Sequence, residues 1–86
     1  MRVRYSKQFL KQLAKQPPKI EKALKVRLLI FQEDKNNALL RNHALQGTLK
    51  GYYSISITGD IRAIYMIIDD EIYLFDMIGT HAQLYG

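Results

Sequence analysis

The spacing of apolar residues changes once along this chain, near Tyr52, and this change restricts the folds that the chain can adopt. Before that point, most apolar residues recur every three or four positions, as on one face of a helix. After it, Tyr53, Ile55 and Ile57 alternate with polar neighbours, as in a strand that buries one face. The sequence therefore predicts a helical part followed by a sheet, which is an α+β domain.

Two helices are predicted in the first half of the chain. Ser6 is a suitable N-cap for the first, and Pro17-Pro18 ends it while Pro18 suits the first turn of the next. The second helix ends near Asp34. Its predicted inner face consists of Ile20, Ala23, Leu24, Leu28 and Phe31, widened by Val26, Leu29 and Ile30. Two helices joined by a short proline turn indicate an antiparallel helical hairpin.

The remaining segments are predicted to form one sheet. A short strand at Val3 and Tyr5 precedes the hairpin, and residues 38–50 are expected to be irregular. Three strands follow, with turns at Thr58-Gly59-Asp60 and at Asp69-Asp70. The strand from Ile61 to Ile68 is the most apolar and is expected to be central. The third runs from Glu71 to Ile78, and residues 79–86 form a tail. The predicted order is β-α-α-β-β-β, a single domain over residues 1–86 with the hairpin on one face of an antiparallel sheet.

Positive charge is concentrated in the first third of the chain. Residues 1–27 contain nine Lys and Arg and one acid, whereas residues 28–86 carry a net charge of −3. Such a distribution suits a polyanion such as RNA or an acidic protein segment, and it equally suits a solvated helix face. The candidate RNA-contacting residues are Lys11, Lys15, Lys22, Lys25 and Lys50.

Several classes of protein are excluded or disfavoured by the composition. The chain has no cysteine, so disulfides and Cys-based zinc sites are excluded. It contains no P-loop, no dinucleotide-binding loop and no histidine pair at helical spacing, so neither a cofactor nor a metal is predicted. The charged N-terminus and the lack of an apolar run of about 20 residues favour a cytoplasmic protein without a membrane segment.

Few residues could carry acid–base chemistry. His43 and His81 are the only histidines, and they lie on either side of the predicted meander, whose ends can meet at one edge of a sheet. Arg62 lies in an otherwise apolar strand, so it must either pair with Asp60 or face a polar concave surface, where it could bind phosphate. Ser54 and Ser56 alternate along the neighbouring strand, and for Ser54 simple alternation at a sheet surface is the favoured interpretation.

Three segments resemble the RelE/ParE toxin superfamily, in particular its YafQ-like branch. The first is His43-Ala44-Leu45-Gln46-Gly47, followed by Leu49-Lys50-Gly51-Tyr52. The second is Gly59-Asp60-Ile61-Arg62-Ala63-Ile64-Tyr65. The third is Phe75-Asp76-Met77-Ile78-Gly79-Thr80-His81, with Leu84-Tyr85 after it. The resemblance covers the whole chain, because the family also places a helical hairpin before the sheet.

The resemblance implies a toxin that cleaves mRNA on the ribosome without a metal and is silenced by a cognate antitoxin, whose inhibitory segment we expect to be acidic and partly disordered. His43, Asp60, His81 and Tyr85 match site positions of the YafQ-like branch, and Arg62 matches an arginine of the RelE branch. His43 and His81 are thus the acid and base candidates, in an order that the sequence leaves open. Arg62 is the candidate phosphate clamp, Asp60 an orienting group, and Tyr85 a residue that stacks on a base or hydrogen-bonds near the phosphate.

The chain departs from the YafQ-like pattern at two positions. Ser56 replaces a histidine, and Met77 replaces an arginine and cannot bind phosphate. Two alternatives stay open. One is a gyrase inhibitor of the ParE type, against which His43 and His81 argue, because that branch does not depend on such a histidine pair. The other, which Ser56 and Met77 permit, is an antitoxin-binding module that has lost catalysis.

Overall fold

The computed structural model describes residues 1–85, so Gly86, the end of the predicted tail, lies outside the described residues. The five strands are β1 (Arg2–Tyr5), β2 (His43–Ala44), β3 (Tyr53–Ser56), β4 (Ile61–Ile68) and β5 (Ile72–Thr80). The three helices are α1 (Lys7–Ala14), α2 (Pro18–Glu33) and α3 (His81–Tyr85). Two short 3₁₀ turns, Ala38–Leu40 and Gly47–Leu49, flank β2. The predicted α+β class and helical hairpin are confirmed.

The strands form one sheet in the order β1-β5-β4-β3-β2, so β4 is central, as predicted. The pairs β2–β3, β3–β4 and β4–β5 are antiparallel, but β1 runs parallel to β5. The prediction of a wholly antiparallel sheet was therefore wrong. Tight turns fix the relative directions of successive strands, whereas β1 is joined to the rest through two helices, and no hairpin determines its direction.

The helical hairpin covers one face of the sheet and encloses the core there. The buried residues of α2 are Ile20, Leu24, Leu28 and Phe31, spaced as one helical stripe. The ring of Phe31 meets those of Tyr65, Tyr73 and Phe75 edge to face, with centroids 5.1–5.7 Å apart. Val26 and Leu29, predicted to widen this face, are 57% and 67% exposed, because they lie on the side of the helix that turns away from the sheet.

Local interactions explain where the elements begin and end. The Ser6 side chain accepts a hydrogen bond from the Phe9 amide, and Pro18 occupies the first turn of α2. Asp69 and Asp70 both have positive φ, as the two central residues of a type I′ hairpin turn require. Two boundaries differ from the prediction, since residues 38–50 contain β2 and two 3₁₀ turns, and β5 continues to Thr80 and leads into α3 instead of a tail.

A bulge in β5 determines which residues face away from the helices. Tyr65 pairs with Phe75 but Ile64 pairs with Met77, so Asp76 is the extra residue. Its carbonyl accepts hydrogen bonds from Ser6 Oγ and Gln8 Nε2 of the N-terminal part. After the bulge, Ile78 points into the core, and its neighbours Met77 and Gly79 lie on the opposite face.

Candidate functional site

The sheet face that the helical hairpin does not cover, here called the open face, carries two of the predicted site residues, although Ser54, Ser56 and Ile64 on this face are buried. Cross-strand partners share a face, so the register places two rows of residues there. One row runs across four strands through His43, Ser54, Ile64 and Met77. The next row, two residues further along, contains Ser56, Arg62 and Gly79. His43 and Arg62 therefore lie on one face, His43 opposite Ser54 and Arg62 opposite Ser56.

Arg62 is bound to a serine and not to an aspartate. Its Nη1 donates a hydrogen bond of 2.6 Å to Ser56 Oγ, and the side chain is half-buried. Within residues 1–85, the only ion pair joins Lys25 to Glu21, so the Asp60–Arg62 pair considered from the sequence does not form. Arg62 thus has a fixed position on the open face while its charge is not neutralised by a carboxylate.

Asp60 lies at the rim of the sheet beside the start of α3. Ile61 pairs with Thr80, so Asp60 and His81 are the next residues beyond this pair on their two strands. Asp60 also lines a cleft of about 490 Å³ together with Thr80 and with Lys19 at the start of α2. The structure therefore brings Asp60 to the neighbourhood of His81, although no ion pair joins their side chains within residues 1–85.

His81 is held by a capping box. The Gln83 amide donates to Thr80 Oγ1 at 3.1 Å, and the Thr80 amide donates to Gln83 Oε1 at 2.8 Å. This arrangement starts α3 at His81, so Tyr85 lies one turn later on the same side. The two rings are in contact, with centroids 4.6 Å apart, and both side chains are exposed. A Cβ at Gly79 would lie 2.8 Å from Gln83 Oε1, so a larger residue there would have to displace the Gln83 side chain that forms the cap.

The hydrogen bond of His43 defines which of its nitrogens is free. Its Nδ1 is 2.8 Å from the carbonyl oxygen of Arg41, which can only accept, so Nδ1 carries the proton and Nε2 of the neutral ring is bare. His43 does not meet His81. Three strand spacings, about 14 Å in all, separate β2 from β5, so the two rings lie on opposite sides of Arg62.

Two buried hydroxyl groups border the site. Ser54 is 1% exposed, not at the sheet surface as predicted, and its Oγ has no hydrogen-bond partner within residues 1–85. On the core side, the Tyr65 hydroxyl donates to Asn42 Oδ1 at 2.9 Å. Burial raises the pKa of Tyr65 to about 12. Tyr65 thereby anchors the residue that precedes His43.

The five predicted RNA-contacting lysines are all exposed, but they do not border the open face together. Lys11 and Lys15 belong to α1 and Lys22 and Lys25 to α2, in the helical layer behind the sheet. Lys50 lies in the loop between β2 and β3. Only Lys15 lines a cleft beside α3, together with Gln83.

The described residues offer no metal cluster and no membrane-spanning helix. Within residues 1–85, no group of three or more His, Cys, Asp or Glu side chains could hold a metal ion. No helix in the same range is long and apolar enough to cross a membrane.

Three residues near the site were not identified from the sequence. Gln83 had a readable signal, the Thr-x-x-Gln spacing of a capping box. No sequence signal identified Arg27 and Arg41. Their positions beside Ser56 and His43 depend on how α2 and the first 3₁₀ turn pack against β3.

Comparison with known proteins identifies the class. A family model described as a bacterial toxin of a type II toxin–antitoxin system, YafQ, matches residues 1–86. The crystal structure of YafQ from Escherichia coli BL21(DE3) is similar over the full length of both chains, with a TM-score of 0.82 and 27% identity. YafQ in the E. coli DinJ–YafQ complex is 32% identical over both full chains, with a TM-score of 0.73. The mRNA interferase toxin YafQ of E. coli K12 is 39% identical over 49 residues, which are 57% of this chain and 52% of that protein. That alignment thus spans about half the length of the curated relative.

The chain is therefore a bacterial toxin of the type II toxin–antitoxin class. Within this class it belongs to the YafQ family, as the resemblance predicted.

Proposed function

We propose that this toxin is a ribosome-dependent endoribonuclease that cleaves mRNA by acid–base catalysis without a metal, and that a cognate antitoxin silences it. The E. coli relative is named an mRNA interferase toxin, which supports the substrate class. The observation that carries the proposal is the guanidinium of Arg62, held on the open face by Ser56, with the exposed His43 two strands away on β2 and the exposed His81 directly after the adjacent strand β5.

The proposed reaction uses the ribose 2′-hydroxyl as nucleophile. A base removes its proton, the 2′-oxygen bonds to the adjacent phosphorus, and the bond from phosphorus to the 5′-oxygen breaks. An acid protonates the leaving 5′-oxygen, which yields a 2′,3′-cyclic phosphate and a 5′-hydroxyl. A fixed cation stabilises the charge that builds up on the phosphorane. A phosphate bound over Arg62 would lie between the two histidines.

The hydrogen bond at His43 favours one assignment of the two histidines. Because Nδ1 donates to the Arg41 carbonyl, Nε2 has a free lone pair and suits a general base. His81 is then the general acid. The ring of Tyr85 contacts that of His81 at a tilt of 51° and would contact a neighbouring base. Asp60, one residue beyond the Ile61–Thr80 pair, would orient the protonated ring of His81.

Arg62 also accounts for the two departures from the family pattern. Its guanidinium reaches Ser56, the position at which the YafQ-like branch has a histidine, and the small serine leaves room for it. Met77, which stands where the family pattern has an arginine, lies on the same face in the row of His43. Arg62 can therefore supply the missing positive charge from the adjacent central strand, β4. The catalytic groups differ from the pattern, but a base, an acid and a cation are all present.

The proposed partner is an antitoxin that binds the toxin through an acidic, partly disordered segment. The E. coli relative has been solved in a complex with DinJ, described as a toxin–antitoxin complex. Charge complementarity supports the same arrangement here, because the chain carries a net charge of +5, concentrated in residues 1–27. Such a segment could fold on binding and cover the site.

The test compares the wild type with His81→Ala in bacterial cells at matched expression. The wild type is expected to stop protein synthesis and to leave mRNA fragments with 5′-hydroxyl ends inside translated regions. The variant is expected to do neither, while its thermal unfolding stays unchanged, because His81 is exposed and lies outside the core. In vitro, mRNA on ribosomes should be cut, whereas free mRNA, or mRNA with 2′-deoxyribose at the cleavage position, should not.

Other outcomes identify the rival functions. Induction of DNA damage with intact mRNA would indicate a gyrase inhibitor. An absence of any growth effect from the wild type would indicate a binding module without catalysis. Full toxicity of His81→Ala would refute the role of His81.

A further inference from the structure

A cationic cleft lies beside the open face, between α2, the first 3₁₀ turn and the turn from β3 to β4. It has a volume of about 290 Å³, and its lining includes Arg27, Arg41, Ser56 and Thr58. No aspartate or glutamate is among the described residues that line it. The cleft therefore combines two guanidinium groups without an acidic partner, a composition suited to an anion.

Arg27 is fixed in the cleft by carbonyl groups. Its Nη1 donates to the carbonyl oxygens of Leu39, at 2.6 Å, and of Ser56, at 3.1 Å. Neither bond neutralises the charge, and Nε and Nη2 make no hydrogen bond within residues 1–85. Both hydrogen bonds use Nη1, so the guanidinium is fixed in place before a ligand binds, and its donors on Nε and Nη2 remain available for that ligand.

Two further donors surround the same space. Thr58 Oγ1 accepts from the amides of Asp60 and Ile61, at 3.3 and 3.1 Å, so its own proton remains available for donation. Arg41 is exposed and adopts a left-handed backbone conformation, with φ of 48° and ψ of 42°. This conformation ends the 3₁₀ turn and brings the arginine to the cleft while its carbonyl holds His43.

The cleft is continuous with the proposed catalytic site through Ser56. Arg62 contacts the side chain of this residue from the open face, and Arg27 contacts its carbonyl from the sheet edge. We propose that the cleft is a second phosphate subsite, which binds a backbone phosphate of the RNA near the scissile one. This inference rests on the proposed RNA cleavage. Its direct connection to Arg62 favours RNA over an acidic segment of the antitoxin.

The experiment combines a protein variant with modified RNA. Arg41→Asn removes the charge but tolerates the left-handed conformation, and Arg41→Gly serves if the first variant unfolds. Arg4→Gln is the matched control, because it removes one arginine from β1 at the other edge of the sheet. Ribosomes are programmed with mRNA in which single phosphates around the cleavage position are replaced by neutral methylphosphonates. Single-turnover cleavage then yields a half-saturating toxin concentration and a maximal rate.

For wild type and Arg4→Gln, one methylphosphonate position other than the scissile one should raise the half-saturating concentration about tenfold. For Arg41→Asn the half-saturating concentration should be raised even with unmodified mRNA, and the same methylphosphonate should not raise it further. The maximal rate should stay the same. With unmodified mRNA, the salt dependence of Arg41→Asn should fall by about 0.7 in log–log slope, the value for the removal of one phosphate interaction.

The failures are distinguishable. If the wild type does not cut programmed mRNA at all, the proposed function fails and this inference with it. If it cuts but no position is coupled to Arg41, only the second subsite is refuted. If Arg41→Asn leaves cleavage unchanged and weakens binding of the purified cognate antitoxin, the cleft binds protein, and the RNA assignment is overturned.

Discussion

Thr80 and Gln83 each satisfy the backbone amide of the other at the start of α3, and this reciprocal pair fixes the first residue of the helix, His81. A five-residue helix is far too short to be stable alone, so its geometry depends on this cap and on packing against β5. Gln16 Nε2 also donates to Gln83 Oε1 at 3.2 Å and ties the cap to the helical hairpin. Gln83 is therefore a positioning residue for the proposed general acid.

We expect Gln83→Ala to reduce mRNA cleavage about tenfold, because loss of a cap costs about 1 kcal/mol and frees His81 from its fixed position. Gln83→Glu retains an oxygen that can accept from the Thr80 amide and should restore most of the activity. NMR spectra should show that the rings of His81 and Tyr85 separate in the alanine variant and stay together in the glutamate variant. If the rings separated only in Gln83→Ala and the two variants were nevertheless equally active, Gln83 would not be a positioning residue.

We expect Arg62→Lys to lower cleavage about tenfold to hundredfold at unchanged stability. Lysine keeps the positive charge but loses the planar fork that can contact Ser56 and a phosphate simultaneously. Single-turnover cleavage of ribosome-bound mRNA measures the effect, and Arg4→Lys at the far edge of the sheet is the control. If Arg62→Lys instead lowered the melting temperature and left the rate intact, Arg62 would be a structural residue.

The sequence predicted the elements that depend on local pattern. The cap at Ser6, the turn at Asp69-Asp70 and the central position of β4 follow from residue type, periodicity and apolar content. The capping box of α3 was readable as well, but the helix that follows it is too short to show a helical periodicity. The direction of β1 was not predictable, because it is determined by packing of distant segments and not by a turn.

For the candidate site, the residue types could be predicted from the sequence, but the contacts between them could not. Its residues were identified through the family resemblance, which assigns residue types to motif positions but contains no distances. That Arg62 contacts Ser56 and not Asp60 depends on register, because Ser56 is its direct cross-strand partner. The role of Arg27 depends on tertiary structure alone, since its carbonyl acceptors lie 12 and 29 residues further along the chain.

We expect the stability of the toxin to fall at alkaline pH partly because of Tyr65. Burial raises the pKa of its hydroxyl from 10.0 to about 12, so the folded state favours the protonated form. This contribution is fully present below pH 10 and is lost as the pH rises through 12, with a change of about 1 to 2 kcal/mol. Urea unfolding at pH 8 and at pH 11.5 measures it. Tyr65→Phe should be somewhat less stable at pH 8, because Asn42 loses its partner, and should lose less stability on going to pH 11.5. Parallel losses in the two proteins would refute the assignment.

We expect four lysines of the helical layer to bind ribosomal RNA. Lys11, Lys15, Lys22 and Lys25 are exposed on α1 and α2, and the helices cover the sheet face opposite His43 and Arg62. We expect them to hold the toxin against ribosomal RNA while the open face receives the mRNA. Reversal of all four to Glu should abolish co-sedimentation with ribosomes, and neutralisation to Gln should weaken it and lower its salt dependence by about 0.7 in slope for each phosphate interaction removed.

The antitoxin complex should be weakened but should be less sensitive to salt, because its apolar contacts are not screened. The stability of the variants should stay close to that of the wild type, since these side chains are exposed and, among residues 1–85, only Lys25 of the four has an ion pair, at 3.9 Å from Glu21. Undiminished ribosome binding by the reversed variant across the salt series would show that these lysines only keep the helices solvated.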